Sequence, residues 1–261
     1  MPQTVLPELN ELHRLIELGG EHLRPQVMCK VHMGSHEFDV LSVTLGNPSP
    51  AAPAIGFFGG VHGLERIGAE VVLAYLGSLV QRLKWDSMLH QQLQHVRMVF
   101  MPLVNPGGLW QGTRANPNGV DLMRNAPLDA TEPVPFLLGG QRLSATLPWY
   151  RGPKDAPMQE ESYALCQVVE QELLTSPFSA AIDCHSGFGV QDRIWFPSRT
   201  PASPSRTWQR STPCTASSIR RTCTIPTSSS RKACSTSRMA TCGTTSTCWA
   251  ARARPSASSC R

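Results

Sequence analysis

From Arg199 to Arg261 the sequence contains no Asp, Glu, His, Leu, Val, Phe or Tyr. A segment without those residues buries too little apolar surface to offset the entropy of ordering its backbone, so no packed core is expected there. The same 63 residues hold eleven Lys and Arg, and Ser and Thr fill 26 positions. All 19 acidic residues and all 8 histidines lie in residues 1–198, beside 13 basic residues. The net charge of +5 therefore averages an acidic polymer and a strongly basic one.

Other absences narrow the class. No run of 18 or more apolar residues occurs, which excludes a helical membrane span. The first twenty residues carry Glu8, Glu11 and Glu17 and lack an apolar stretch leading to a cleavage site, so no secretory signal is expected and the chain is assigned to the cytoplasm. Residues 1–198 have only Cys29, Cys166 and Cys184, too scattered for a disulfide framework. The six later cysteines form no C-x-x-C pair and have no histidine among them, which argues against a zinc finger.

The basic segment admits two readings. One is an arm that binds nucleic acid through phosphate contacts from Arg220-Arg221 and Arg231-Lys232. The other is a shifted reading frame. Taking the last base of each codon with the first two of the next, Ala202 to Ser218 is compatible with FPFPHLAEVYALHRLF and Arg238 to Cys248 with HGDLWDYLYL. Both strings restore the apolar, aromatic and acidic mixture that the written segment lacks. The second reading is therefore preferred: residues 199–261 are a Ser/Thr/Arg-rich low-complexity tail, out of frame from near Pro197 to Pro201 and disordered, and a nucleic-acid partner is not expected.

Residues 1–198 suffice for one domain with a sizeable core. Ile67, Val71, Tyr75, Leu79 and Leu83 recur every four residues and predict an amphipathic helix over 65–84. Leu165, Val168, Val169 and Leu173 predict another over 158–174. Apolar or alternating runs at 26–32, 38–45, 54–58, 96–104, 180–184 and 193–196 predict strands. Alternation of strands with helices predicts an α/β fold, and the nearly continuous apolar runs AIGFF and VRMVFMPLV suit strands covered on both faces. Ligands of such sheets bind beyond the carboxyl ends of the strands, so the polar residues just after them matter most.

His62 and Glu65 follow one such strand at the start of the long helix. A three-residue spacing on a first turn sets both side chains to one side, where an imidazole and a carboxylate can converge on one cation. Alone, the pair is equally a surface histidine beside a helix-start glutamate. His185 follows a second apolar strand; two His and one Glu leave a fourth position open, as catalytic rather than structural zinc sites do. Between them, the Gly/Asn/Pro-rich stretch from Asn105 to Asn125 carries Arg114, Asp121 and Arg124. Two arginines there suit a substrate carboxylate or an oxyanion, and Asp121 suits the non-ligating nitrogen of a metal-bound histidine. The alternative is two solvated arginines and a turn aspartate.

The ordered motifs GFFGGVHGLERIGAE, NPGGLWQGTRANPNGVDLMRN and AAIDCHSGFG resemble the zinc carboxypeptidase family of the carboxypeptidase A type, nearest to short bacterial members such as murein peptide amidases. The resemblance spans roughly residues 50–190. It implies a three-layer α/β/α fold with a central, mostly parallel mixed sheet, C-terminally incomplete because the family's last elements would fall in the tail. It also implies one zinc ion on His62, Glu65 and His185, with Arg114 stabilising the oxyanion, Arg124 and Asn125 receiving the substrate carboxylate, and Asp121 orienting His62. The implied reaction is hydrolysis of a peptide or amide bond next to a free carboxylate by zinc-activated water.

Two positions depart from the family pattern. Met123 replaces the Asn of the usual Asn-Arg pair; a thioether accepts weakly and donates nothing, which opens the alternative of an N-acyl amino acid deacylase. The family's catalytic Glu has no counterpart, since nothing beyond Arg199 is acidic. Without that general base, hydrolysis is expected to be impaired by about 10²–10⁴-fold.

Overall fold

The computed structural model describes residues 6–127, 139–186 and the strand 247–251. Helix α1, Pro7–Gly19, opens on a proline, whose missing N–H is an orphan at a helix start in any case. Its buried leucines Leu9, Leu12 and Leu15 lie three residues apart and dock it on the sheet. β1 (Leu23–Met33) and β2 (His36–Gly46) form an antiparallel hairpin closed at Gly34, whose φ of 60° is left-handed. After β3 (Ala54–Gly59) come α2 (Arg66–Arg82), α3 (Ser87–Leu93), β4 (Arg97–Met101) and the short α4 (Pro106–Gln111). Further along the chain come α5 (Glu160–Val168), one π-helical turn (Val169–Leu173) and β5 (Ser179–Cys184).

The sheet order is β1-β2-β4-β3-β5-β6, with β6 being Thr247–Ala251. Parallel pairing is confined to the centre, where β3 lies between β4 and β5; β1, β2 and β6 join antiparallel. One core cluster packs α1, α2 and α3 against one sheet face, and a second packs α5 and the π turn against the other. The three-layer α/β/α architecture follows from strands apolar on both faces, as the all-buried β4 shows.

Several elements differ from their sequence patterns. The run that predicts a strand to Val104 stops at Met101, because Pro102 has no N–H for the ladder. The amphipathic pattern of α2 is real, but its face is not the predicted stripe: Ile67 and Val71 are 57% and 52% exposed, whereas Leu79 is 2% exposed. A four-residue step overshoots a helical turn by about 40°, so a stripe at that spacing winds from solvent into the core. The buried face is Gly68, Ala69, Val72, Leu73, Leu76, Leu79 and Val80. The edge of β5 is paired with β6, although the tail composition predicts no ordered element; an edge strand needs backbone donors and acceptors rather than buried side chains. The predicted strand at 193–196 and the rest of the tail lie outside the described residues.

Two close approaches place the site. A Cβ on Gly68 would lie 2.2 Å from the Cys184 carbonyl oxygen, so α2 presses onto the end of β5. A Cβ on Gly63 would lie 1.9 Å from the backbone carbon of Gly108, so the loop after β3 presses onto α4. Both contacts require glycine, and together they gather the carboxyl ends of β3, β4 and β5.

Candidate metal centre

His62 leaves the loop after β3, Glu65 caps the start of α2, and His185 follows β5 directly. Parallel pairing of β3 with β5, with Gly59 opposite Cys184, sets these strand ends side by side. One ligand atom from each of His62, Glu65 and His185 falls within 4.8 Å of the others, and the His62 and His185 rings stand edge to face at 4.9 Å. His62 and Glu65, three residues apart, thus converge with His185, 120 residues further along the chain.

His62 and Glu65 are held from behind. His62 Nε2 lies 3.2 Å from Asp121 Oδ1, and its Nδ1 lies 2.9 Å from Glu65 Oε1. An N–H donated from Nε2 to Asp121 leaves the Nδ1 lone pair facing Glu65. The backbone N–H of Ser186 donates to Glu65 Oε2 at 3.0 Å. Arg114 donates from Nε to Asp121 Oδ2 at 2.9 Å and from a terminal nitrogen to Glu65 Oε1 at 3.4 Å. Asp121 therefore joins His62, which sequence reasoning paired with it, to Arg114.

Electrostatics follow from this clustering. Burial alone would raise the Asp121 carboxyl, but His62, Arg114 and Arg124 outweigh it and hold Asp121 ionised well below the usual carboxylate range. Glu65 is likewise lowered, with burial opposed by His62, His185 and Arg114. Burial opposes charging of His185, yet Asp183 and Glu65 raise its pKa overall. The Asp183 carboxylate lies 3.0 Å from His185 Nδ1, out of hydrogen-bond alignment, and neither buried ring nitrogen of His185 has a hydrogen-bond partner. Nδ1 has that ion-pair contact alone and Nε2 has no hydrogen-bond partner, which is costly for a buried imidazole unless something else engages it. Two imidazoles and a carboxylate form a donor set suited to zinc, so the residues fit a bound metal.

The loop beyond Arg114 is folded tightly. The backbone N–H groups of Arg124 and Asn125 donate to the Asp121 carbonyl at 2.9 and 3.0 Å. Arg124 is buried, and its carbonyl accepts from Arg151 Nε at 2.9 Å. Asn125 is engaged at both ends of its amide, donating to the Arg151 carbonyl at 2.8 Å and accepting from the Gln159 N–H at 2.7 Å. Met123 packs on the second core cluster, and its N–H donates to Asp121 Oδ1 at 3.1 Å.

Sequence reasoning missed Asp183, Asn105 and Asn116. Asp183 stands two residues before His185, a spacing that puts two side chains on one face of an extended chain and would have flagged it. Asn105 caps α4 by accepting from Gly108 N–H at 2.8 Å and donates to the Val61 carbonyl at 3.3 Å, tying the loops after β3 and β4.

Fold and site together define an α/β protein with a candidate metal-binding cluster at the carboxyl ends of its central strands. The family model described as zinc carboxypeptidase matches residues 22–255, and the chain belongs to that family. Over 160 residues, 56% of this chain, it is 29% identical to Carboxypeptidase E of Caenorhabditis elegans, of which it covers 33%. Over 77 residues, 30% of this chain, it is 35% identical to Carboxypeptidase SOL1 of Arabidopsis thaliana, of which it covers 16%. The chain thus spans a third or less of the curated relatives it matches. A metallo-carboxypeptidase from Pseudomonas aeruginosa, solved with (2-guanidinoethylmercapto)succinic acid, superposes with a TM-score of 0.58 over 92% of this chain and 59% of its own, at 15% identity, a likeness of fold.

Proposed function

We propose that this chain carries a single-zinc hydrolase site on His62, Glu65 and His185 and acts on a peptide or acyl-amino-acid substrate with a free carboxylate. The observation that carries this reading is the convergence of those three donors around a His185 imidazole without hydrogen-bond partners. When bound, zinc would supply a Lewis acid that polarises the scissile carbonyl and activates water.

The chain's own residues divide the remaining work. Arg114, fixed through Nε by Asp121, presents positive charge to a developing oxyanion. Arg124 pairs with the substrate carboxylate, and Asn125 keeps that subsite in shape through its two backbone bonds. Asp121 fixes the tautomer and ring orientation of His62. Met123 offers no donor beside Arg124, which favours N-acyl amino acids as a second substrate class. The last acidic residue is Asp192, so a general-base carboxylate from the tail is missing and turnover is impaired. The three scattered cysteines of residues 1–198 support a cytoplasmic setting. No described helix is long and apolar enough to cross a membrane.

Zinc analysis and turnover test this reading. One equivalent of zinc is expected in the purified chain and none in His62→Ala. Slow hydrolysis of an N-acyl amino acid, faster than that of a C-terminal dipeptide, would favour the deacylase form. A folded chain that binds no zinc sinks the assignment.

A further inference from the structure

Asn116 is 2% exposed and saturates every polar group it has. Its Oδ1 accepts from the N–H groups of Asn118 at 3.1 Å and Val120 at 3.0 Å. Its backbone closes the same turn, donating to the Val120 carbonyl at 2.9 Å and accepting from Gly119 N–H at 2.8 Å. Its Nδ2 reaches away from the turn to α5, donating to Gln159 Oε1 at 3.0 Å and to the Glu161 carboxylate at 3.1 and 3.2 Å. Asn118 donates to the same Gln159 oxygen at 2.7 Å.

The turn held in this way spans 116–120. Arg114 lies just before it and Asp121 just after it, and these two side chains meet at 2.9 Å beside His62. Their meeting depends on how tightly the turn between them closes. We propose that Asn116 is a positioning residue for the metal centre, acting through the Arg114–Asp121 pair on the orientation of His62, with Glu161 at the start of α5 as its anchor. The proposal rests on the zinc reading above.

Asn116 and Glu161 form a donor–acceptor pair whose chemistry can be inverted. Asn116→Asp keeps an oxygen for the turn but sets a second carboxylate against Glu161, opening the tether. Glu161→Gln keeps an acceptor for Asn116 and leaves the tether closed. The double variant restores a donor–acceptor pair with the roles exchanged. Gln159→Ala, at a half-buried position, weakens the tether without burying a new charge.

The test is zinc affinity, measured by competition with a chelator at a temperature where circular dichroism shows each apo-protein folded. Asn116→Asp is expected to weaken zinc about 10-fold, the lower end of the usual range for groups behind a metal ligand. Gln159→Ala is expected to weaken it about 3-fold, less than the loss of a whole outer-shell partner. Glu161→Gln should match the wild type, and the double variant should recover most of the loss. A lower apo melting temperature with unchanged zinc affinity in Asn116→Asp and Gln159→Ala overturns the proposal, as does a double variant no better than Asn116→Asp. A wild-type chain that binds no zinc overturns the site assignment and this proposal with it, whereas wild-type binding with unaffected variants overturns this proposal alone.

Discussion

Glu161 shows how one side chain links stability to the site. Burial penalises its charged form, the donors from Asn116 oppose that penalty, and neighbouring Glu160 adds to it; the net pKa is raised above 4.5. A raised carboxyl in the fold contributes stability that is full below its unfolded value and is lost as pH rises through its folded value. Glu161→Gln escapes that loss. The melting temperature of the variant minus that of the wild type is therefore expected to increase between pH 4 and pH 7, read by thermal denaturation across that range; a constant difference contradicts the assignment. Asp121 has the opposite sign, because His62, Arg114 and Arg124 outweigh its burial and lower its pKa.

At the scale of elements, the site depends on two backbones coming closer than side chains permit. Gly68 places the first turn of α2 against the end of β5, and Gly63 places the loop carrying His62 against α4. Gly68→Ala would drive a methyl into the Cys184 carbonyl, 2.2 Å away, with backbone on both sides and no flexible side chain to yield. A loss of about 1–3 kcal/mol is expected, typical of overpacking, read as a lower denaturant midpoint. Weakened zinc binding should accompany it, since α2 carries Glu65 and β5 delivers His185; an unchanged midpoint would mean that the two elements can part freely. The existence of α2, α5 and β1 to β5 was legible because their apolar patterning is strong, whereas β6 lies in a segment without such a pattern. The exposed face of α2 was not, since Ile67 and Val71 fit a helical stripe whose winding only the packing of the whole helix reveals. α3 and α4 are too short for a periodic signal and rest on capping by Asp86 and Asn105.

For the whole molecule, the composition break after residue 198 is the largest feature. The family model runs through it to residue 255, and Thr247–Ala251 closes the sheet edge beside β5. The segment nonetheless holds no Asp or Glu. A nucleotide read of the gene from codon 190 onward decides its origin. The expected result is that a one-base correction opens a frame containing a string like FPHLAEVYALHRLF; an uninterrupted written frame would make the basic segment a genuine part of the protein and leave the site without its base.

The sequence by itself determined the α/β class and the family, and it singled out His62, Glu65 and His185, whose side chains the structure brings together, because strand ends, a His-x-x-Glu turn and three ordered motifs are local signals. It also exposed the composition break, which is visible without coordinates. Asp121 behind His62 was legible as well, and the spacing of Asp183 from His185 is local. Only the tertiary structure decided the tether from Asn116 to Glu161 some 45 residues away, a pairing between chain segments that meet only when the fold is assembled. The winding of the α2 stripe and the glycine contacts at Gly63 and Gly68 belong to the same class. Close packing fixes them, and packing is a property of neighbours in space rather than in sequence.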